Sequence, residues 1–510
     1  MLIHAKSSAT LKAINEQFKD KSFILYPSFE LTMLTNIFYI TIALLALSFS
    51  IFIHELGHFI AAKKRGLIAD RFSIGFGPRL FGFNWKGTDF RISLFPFGGY
   101  VSLPQLADMG RIEGGDGSET QDLPPISYTD KMVVSIMGVV FNMIFAFLLS
   151  LILWGAGREI ILSTEVNSVA EEIVNDQGVT VPGPAYAAGL LKGDQIVAID
   201  GKAIRNWVEL ENVIMTGTKR DTSGNPIAEV EVIRDGETRQ LTLYPVLIDV
   251  GIDSIRTIGV DPGTSLVVAE VQKSMPAFDA GLQAGDTILA LDGLPVDSSA
   301  FLSVYLSKHE GGTINLSVSR NGEEIVLPIE PKIAPGEETP RFGFAYYYEV
   351  NTERVHLNPI EQIAAMIRTM EQTLVALISP KSDVKIGNMS GPIGIVHGLT
   401  YMVRYSWIDL TWFLALINVN LALLNSLPIP VLDGGHMTFA TIQKLTGRPV
   451  SRRIMEFSYT VCIAILLSFM LYVSYRDILR VGLDVGIVED TPNAPKEHPT
   501  SNVEQENVER

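Results

Sequence analysis

The sequence predicts a polytopic α-helical membrane protein with four transmembrane helices, a membrane-associated β-hairpin and a repeated α+β part outside the bilayer. Three observations predict that class. Apolar runs near residues 34–62, 132–154, 410–427 and 454–475 approach or exceed the length that crosses a hydrocarbon core. Between the second and third runs, one segment repeats at an offset of 92 residues. The chain is 47% hydrophobic with mean hydropathy +0.26, too apolar for a wholly soluble protein and too polar for one that is all membrane.

Charge and cysteine usage narrow the function classes. The formal net charge of -16 over 510 residues argues against a nucleic-acid partner and for solvated acidic domains. One cysteine, Cys462, excludes both an intrachain disulfide and a thiolate zinc site, so any metal is held by His, Asp or Glu.

Residues 1–32 are polar and patternless, a short arm or a misassigned start. The first span, residues 33–62, carries His54-Glu55-Leu56-Gly57-His58 in its last third. The spacing H-E-x-x-H puts two imidazoles at i and i+4 on one helix face, where they can grip one Zn²⁺ with the glutamate beside the metal-bound water. Ionisable groups within an apolar span are costly unless they have a partner, which marks them as functional. A cleaved signal peptide is not expected, because cleavage would discard the motif.

Lys63, Lys64, Arg65, Arg71 and Arg79 follow and place the 63–131 segment in the cytoplasm, with the N-terminus outside. Within it, residues 72–101 alternate like strands broken by glycines and read as hairpins ending in Phe97-Gly98-Gly99-Tyr100-Val101. An exposed edge there can pair with an extended substrate. Residues 104–127 read as a Pro/Gly/acidic loop. The second span, 132–154, holds Gly138 and Asn142 four apart, a small and a polar residue suited to packing on the site helix.

The repeat comes next. Gly183-Pro-Ala-Tyr-Ala-Ala-Gly-Leu-Leu-Lys-Gly-Asp and Met275-Pro-Ala-Phe-Asp-Ala-Gly-Leu-Gln-Ala-Gly-Asp each run on to an Asp-Gly, at 200–201 and 292–293. Each copy reads as a short helix, a Gly-Asp turn, a strand and an Asp-Gly turn. The pattern resembles the PDZ domain of bacterial envelope proteases. That resemblance implies two tandem PDZ folds, residues 160–250 and 251–350, whose grooves take peptide C-termini or extended segments.

Residues 351–405 form an amphipathic linker with a helix over Pro359–Ile378, then Gly391-Pro-Ile-Gly-Ile395, a turn or the start of a helix. The third span, 406–445, is broken by Asn425-Ser-Leu-Pro-Ile-Pro-Val-Leu-Asp433-Gly-Gly-His436, since two prolines and two glycines cannot continue a helix. Lys444, Arg448, Arg452 and Arg453 make a second cytoplasmic loop. Residues 453–476 are the last span, and 481–510 an acidic disordered tail.

A catalytic zinc takes three protein ligands and keeps one position open. His54 and His58 supply two. Candidates for the third are Asp433, His436 and His397, with His309 and His356 behind them. Asp433 is favoured as a lone carboxylate in an apolar stretch, on a kinked segment that can turn it inward.

Taken together, HELGH, RFSIGFG, GGYV, the tandem repeat, GPIGI and NSLPIPVLDGGH resemble a bacterial site-2 protease of the RseP type over about residues 33–480. The resemblance implies His54, His58 and Asp433 as ligands of Zn²⁺ and Glu55 as the catalytic acid/base. It also implies that Asn425 holds substrate main chain, and that Gly98, Gly99, Tyr100 and Val101 belong to a membrane-associated β-element. Val139 departs from the family, which often has proline there, and puts local packing in doubt. The activity implied is regulated intramembrane proteolysis of single-pass membrane proteins, anti-sigma factors or signal-peptide remnants, after a first extracytoplasmic cut. Partners are then transmembrane substrates, peptides at the PDZ grooves and membrane lipid. The expected location is the bacterial inner membrane, with PDZ domains and both termini periplasmic and the active site near the cytoplasmic side. The competing reading is a membrane-bound PDZ scaffold or chaperone with a structural zinc.

Overall fold

A computed structural model describes residues 29–105, 126–273, 275–296, 311–333 and 340–484, together with 302, 305 and 306. Most of the N-terminal arm, most of the 104–127 loop, His309 and nearly all of the acidic tail therefore lie outside the described residues. The chain divides into two compact units, one built from the segments up to Ile160 and from Thr352 to Val481, the other from Ile161–Asn351.

The first unit is helical. It contains α1 (Phe29–Lys64), the strands β1 (Arg71–Trp85) and β2 (Thr88–Ser102), and α2 (Tyr128–Ala156). A two-stranded ladder of β3 (Arg158–Ile160) and β4 (Glu353–Val355) leads to α3 (Pro359–Ile378), α4 (Pro392–Tyr405), α5 (Trp407–Asn425), α6 (Asp433–Thr446) and α7 (Arg452–Asp484). Four helices are long and apolar enough to cross a membrane, over Thr35–Lys64, Tyr128–Ala156, Trp407–Asn425 and Arg453–Leu483. Their outward faces carry exposed Ile144, Phe147, Leu148, Phe457, Ile465 and Leu471, as lipid-facing helices must.

Local chemistry sets the helix ends. Ser127 caps α2 by accepting from the Asp130 amide, and Gly157 at φ 73° closes it. Asn358 caps α3 over Pro359, and Ser406 caps α5. The residues from Gly391 to Ile395 open α4, an additional helix that the amphipathic pattern of 351–405 did not separate from the linker. Their glycines make room for a residue far along the chain. Asp477 of α7 accepts a hydrogen bond from the Gly394 amide at 2.8 Å, and a Cβ on Gly394 would stand 2.7 Å from its carboxylate.

Helix α2 is the centre of this unit, touching α1, α3, α5 and α6. Its buried face runs Val134, Gly138, Asn142, Ala146, Leu149, Ser150 and Leu153, mostly at the helical four-residue spacing. Small residues there let neighbouring backbones approach closely. Strand β1 is paired on both sides near its start, with Ser73 opposite Tyr100 and also opposite Arg91. The strand segment 99–102 therefore pairs with β1 along one edge, and a Cβ on Gly99 would meet the Glu55 and Ile51 side chains of α1.

The second unit holds the two repeat copies, each with its own apolar core. The first sheet orders its strands Glu237–Leu243, Ala228–Arg234, Gln195–Ile199 and Lys202–Ala203 around Leu190, Ile196, Trp207, Leu210 and Val232. The second orders Glu323–Ile329, Ile314–Arg320, Thr287–Leu291, Thr264–Val271 and Phe344–Val350 around Leu266, Ile288, Leu291, Leu316 and Val318. Asp200 (φ 51°) with Gly201, and Asp292 (φ 46°) with Gly293, make the left-handed turns that an Asp-Gly hairpin needs.

Candidate metal centre

The site begins with two glycines that bring α1 and α2 together. A Cβ on Gly57 would lie 2.3 Å from the Met137 carbonyl oxygen, and one on Gly138 would lie 2.4 Å from His58 Nε2 and 2.7 Å from His54 Cε1. Helix α2 thus forms the back wall against which both imidazoles rest, and a methyl group at 138 would occupy their space. His58 donates from Nδ1 to the Val134 carbonyl at 2.8 Å, which leaves the lone pair on Nε2 free to point into the site.

Asp433 arrives from the broken segment. Pro428 and Pro430 lack the N–H that a continuing helix requires. Gly434 and Gly435 let the chain fold back on itself, because Cβ atoms there would meet the Leu427 and Ile429 carbonyl oxygens at 2.2 Å. The turn ends with Asp433 as the first residue of α6, where the helix dipole favours a carboxylate.

Three donor atoms converge as a result. His54 Nε2 stands 3.1 Å from His58 Nε2 and 3.2 Å from Asp433 Oδ2, and His58 Nε2 stands 3.4 Å from the same oxygen. Their side chains are 12%, 6% and 7% exposed, so water competes weakly for them. Asp433 Oδ2 is within ion-pair distance of both rings, yet neither ring is angled to hydrogen-bond it. The two Nε2 ring nitrogens meet hydrogen-bond geometry only with each other, and together with this unpartnered carboxylate oxygen they are the donor types that a zinc ion takes. Donors about 2.0–2.2 Å from a tetrahedral zinc lie roughly 3.3–3.6 Å apart, close to the spacings found. Among the described residues no fourth His, Cys, Asp or Glu joins the set, which leaves a coordination position open.

The other predicted residues fall around this point or away from it. Glu55 is half-buried beside β2, where a Cβ on Gly99 would touch its Cγ at 3.1 Å. Gly98, at φ 119°, lies under the Phe76 ring, which is stacked on Tyr100. Asn425 is the last residue of α5, half-buried and eight positions before Asp433. Of the remaining ligand candidates, His436 pairs its Nδ1 with the Tyr459 hydroxyl at 3.0 Å. His356 bonds the Trp154 carbonyl at 2.8 Å, and His397 sits on α4; neither joins the cluster.

Two contributors escape a reading by motif: the Val134 carbonyl and the Asn142 side chain, whose Nδ2 is 3.2 Å from His54 Nδ1. The only sequence trace of them is the small-and-polar stripe on the second span.

Comparison with known proteins follows the same residues. The sequence profile of peptidase family M50 matches residues 42–469. The regulator of sigma-E protease RseP of Salmonella typhimurium is 30% identical over 485 residues, covering 88% of this chain and all of that protein. Its Escherichia coli counterpart is 28% identical, covering 86% of this chain and 98% of its own. A Vibrio cholerae relative, 26% identical over 460 residues, bears a provisional zinc-metalloprotease name. A solved PDZ domain of an SdrC-like protein from Listeria monocytogenes is 26% identical, covers 16% of this chain and 85% of its own, and has a TM-score of 0.15.

Proposed function

The chain belongs to peptidase family M50 and is a membrane zinc metalloprotease; on that premise we propose that it cuts single-pass membrane proteins within the bilayer, at a centre formed by His54, His58 and Asp433. The observation that carries this reading is the meeting of those three donors, 3.1–3.4 Å apart, from helices 375 residues distant in sequence. A scaffold with a structural zinc would close the site with a fourth side chain, which the described residues do not supply.

When bound, zinc supplies Lewis-acid activation of water and of the scissile carbonyl. Glu55 takes the proton from the attacking water and returns it to the leaving amine. A helical substrate hides its carbonyls in internal hydrogen bonds, so it must unwind before attack. Residues Gly98–Val101 offer the unwound segment a strand edge, paired with β1 on one side only, and Asn425 holds its main chain near the metal. The apolar tip of the hairpin, with Leu80, Phe81, Phe83 and Trp85 exposed, rests in lipid.

Around this core we place, in order, a first span with HELGH, a cytoplasmic-side β-hairpin, a second span, tandem PDZ domains, an amphipathic linker, a broken third span and a last span. The protein sits in the bacterial inner membrane, with the PDZ domains and termini periplasmic. The PDZ grooves take peptide C-termini or extended segments. The relatives are named as regulators of sigma-E, and the substrate class fitting that name is an anti-sigma factor already trimmed outside the membrane. Signal-peptide remnants are a second fit.

Glu55→Gln tests the reading, since it keeps the ligand set and removes the base. The variant is expected to retain wild-type zinc and to accumulate shortened transmembrane stubs, seen by quantitative membrane proteomics. Full cleavage by Glu55→Gln would overturn the assignment.

A further inference from the structure

Residues 134, 138 and 142 lie on one face of α2, and each meets the histidine pair differently. Val134 accepts the Nδ1 proton of His58, Gly138 leaves room for both rings, and Asn142 faces Nδ1 of His54. The first contact fixes which nitrogen of His58 is free for a metal. His54 needs the same service, and its Nδ1 contact is the Asn142 carboxamide at 3.2 Å.

Asn142 is fully buried, and its two ends are unequally used. Nδ2 faces the imidazole while Oδ1 is buried with no hydrogen-bond partner among the described residues. If Nδ1 of His54 accepts from that amide, the ring proton moves to Nε2 and the lone pair that would hold a metal is gone. If Nδ1 carries the proton, two donors oppose each other. Turning the carboxamide over resolves both conflicts at once: Oδ1 gains a partner, and Nδ1–H gains an acceptor. The turn needs no extra space, because the oxygen and amino ends have nearly the same shape.

Resting on the ligand reading above, we propose that Asn142 is a positioning residue that holds His54 in its metal-binding state through the carboxamide oxygen. A partner of this kind fixes ring orientation and raises the basicity of the ligating nitrogen, and its loss typically weakens metal binding by roughly 10–100-fold.

The test is the zinc dissociation constant of the full-length, detergent-solubilised protein, measured by competition with a chromophoric chelator. Asn142→Leu is expected to bind zinc roughly 10–100-fold more weakly. Asn142→Asp keeps the shape and offers only acceptors, so it is expected to bind at least nearly as tightly as wild type. If Asn142→Leu does not fold, Asn142→Ala removes the same oxygen without added bulk. Wild-type affinity in the Leu or Ala variant would overturn the proposal. So would an Asp variant as weak as Leu, since that would mean packing or the amino group matters and the oxygen does not. His54→Ala is the separate control: wild-type affinity there would sink the ligand reading itself.

Discussion

Asp194 and Asp286 in the repeat copies are each 1% exposed, and Asp433 in the helical unit is 6% exposed, yet the three carboxylates are kept in different company. Asp194 is gripped by Arg234 and the Leu191 amide, and Asp286 by Arg320 and the Gln283 amide. In both copies the same arginine also reaches a turn carbonyl, Gly189 or Gly281, at 2.8 Å. Both oxygens of each of these carboxylates accept hydrogen bonds inside the fold. Among the described residues Asp433 has no such partner, only two imidazole nitrogens within ion-pair distance. A buried charge that is fully answered locally is structural, and one left partly unanswered points to a ligand.

That contrast can be broken at either end. Asp194→Ala strands a mostly buried guanidinium. It is expected to destabilise the first copy by about 3 kcal/mol, the low end for a buried pair because Arg234 stays partly wet. Hydrogen exchange in strands Gln195–Ile199 and Ala228–Arg234 of the full-length protein should speed up accordingly, with zinc content unchanged. Loss of zinc in this variant would mean that the two classes of carboxylate are not independent.

A smaller effect follows from acid. Burial pushes the Asp194 carboxyl up, but the Arg234 guanidinium and the Leu191 amide more than reverse this and hold it below the usual range. Asp286 is held low in the same way by Arg320 and Gln283. The folded state therefore binds these protons less readily than the unfolded chain. The stability gained is fully present above the unfolded carboxyl pKa of about 3.9 and lost as pH falls through the lower folded value. Exchange protection of both sheets should hold at neutral pH and decline only below about pH 4. A decline beginning near pH 6 would contradict the carboxylate account.

How much of this was legible in the sequence depended on the range over which each signal acts. The His54 and His58 pair and the short helix, turn and strand of each repeat copy are set by residues within a few positions of one another. Asp433 was legible as a carboxylate out of place in an apolar stretch, but its neighbours were not, since the meeting with His54 depends on tertiary packing. Helix α4 was legible only as a turn or helix start at Gly391–Ile395, because its first turn is held by Asp477, 83 residues away from Gly394. The two-sided pairing of β1 was hidden for a related reason. Alternation marks residues 72–101 as strands, but it cannot say that one segment pairs twice. Asn142 was visible as a polar residue on a packing face, and only the folded chain sets it against His54.

The central claim is that His54, His58 and Asp433 share one zinc ion. Elemental analysis of the purified full-length protein tests it directly, comparing wild type with Asp433→Ala. The account predicts about one zinc per chain in the wild type and a clear loss in the variant. Unchanged stoichiometry in Asp433→Ala would remove the carboxylate from the ligand set and contradict the account.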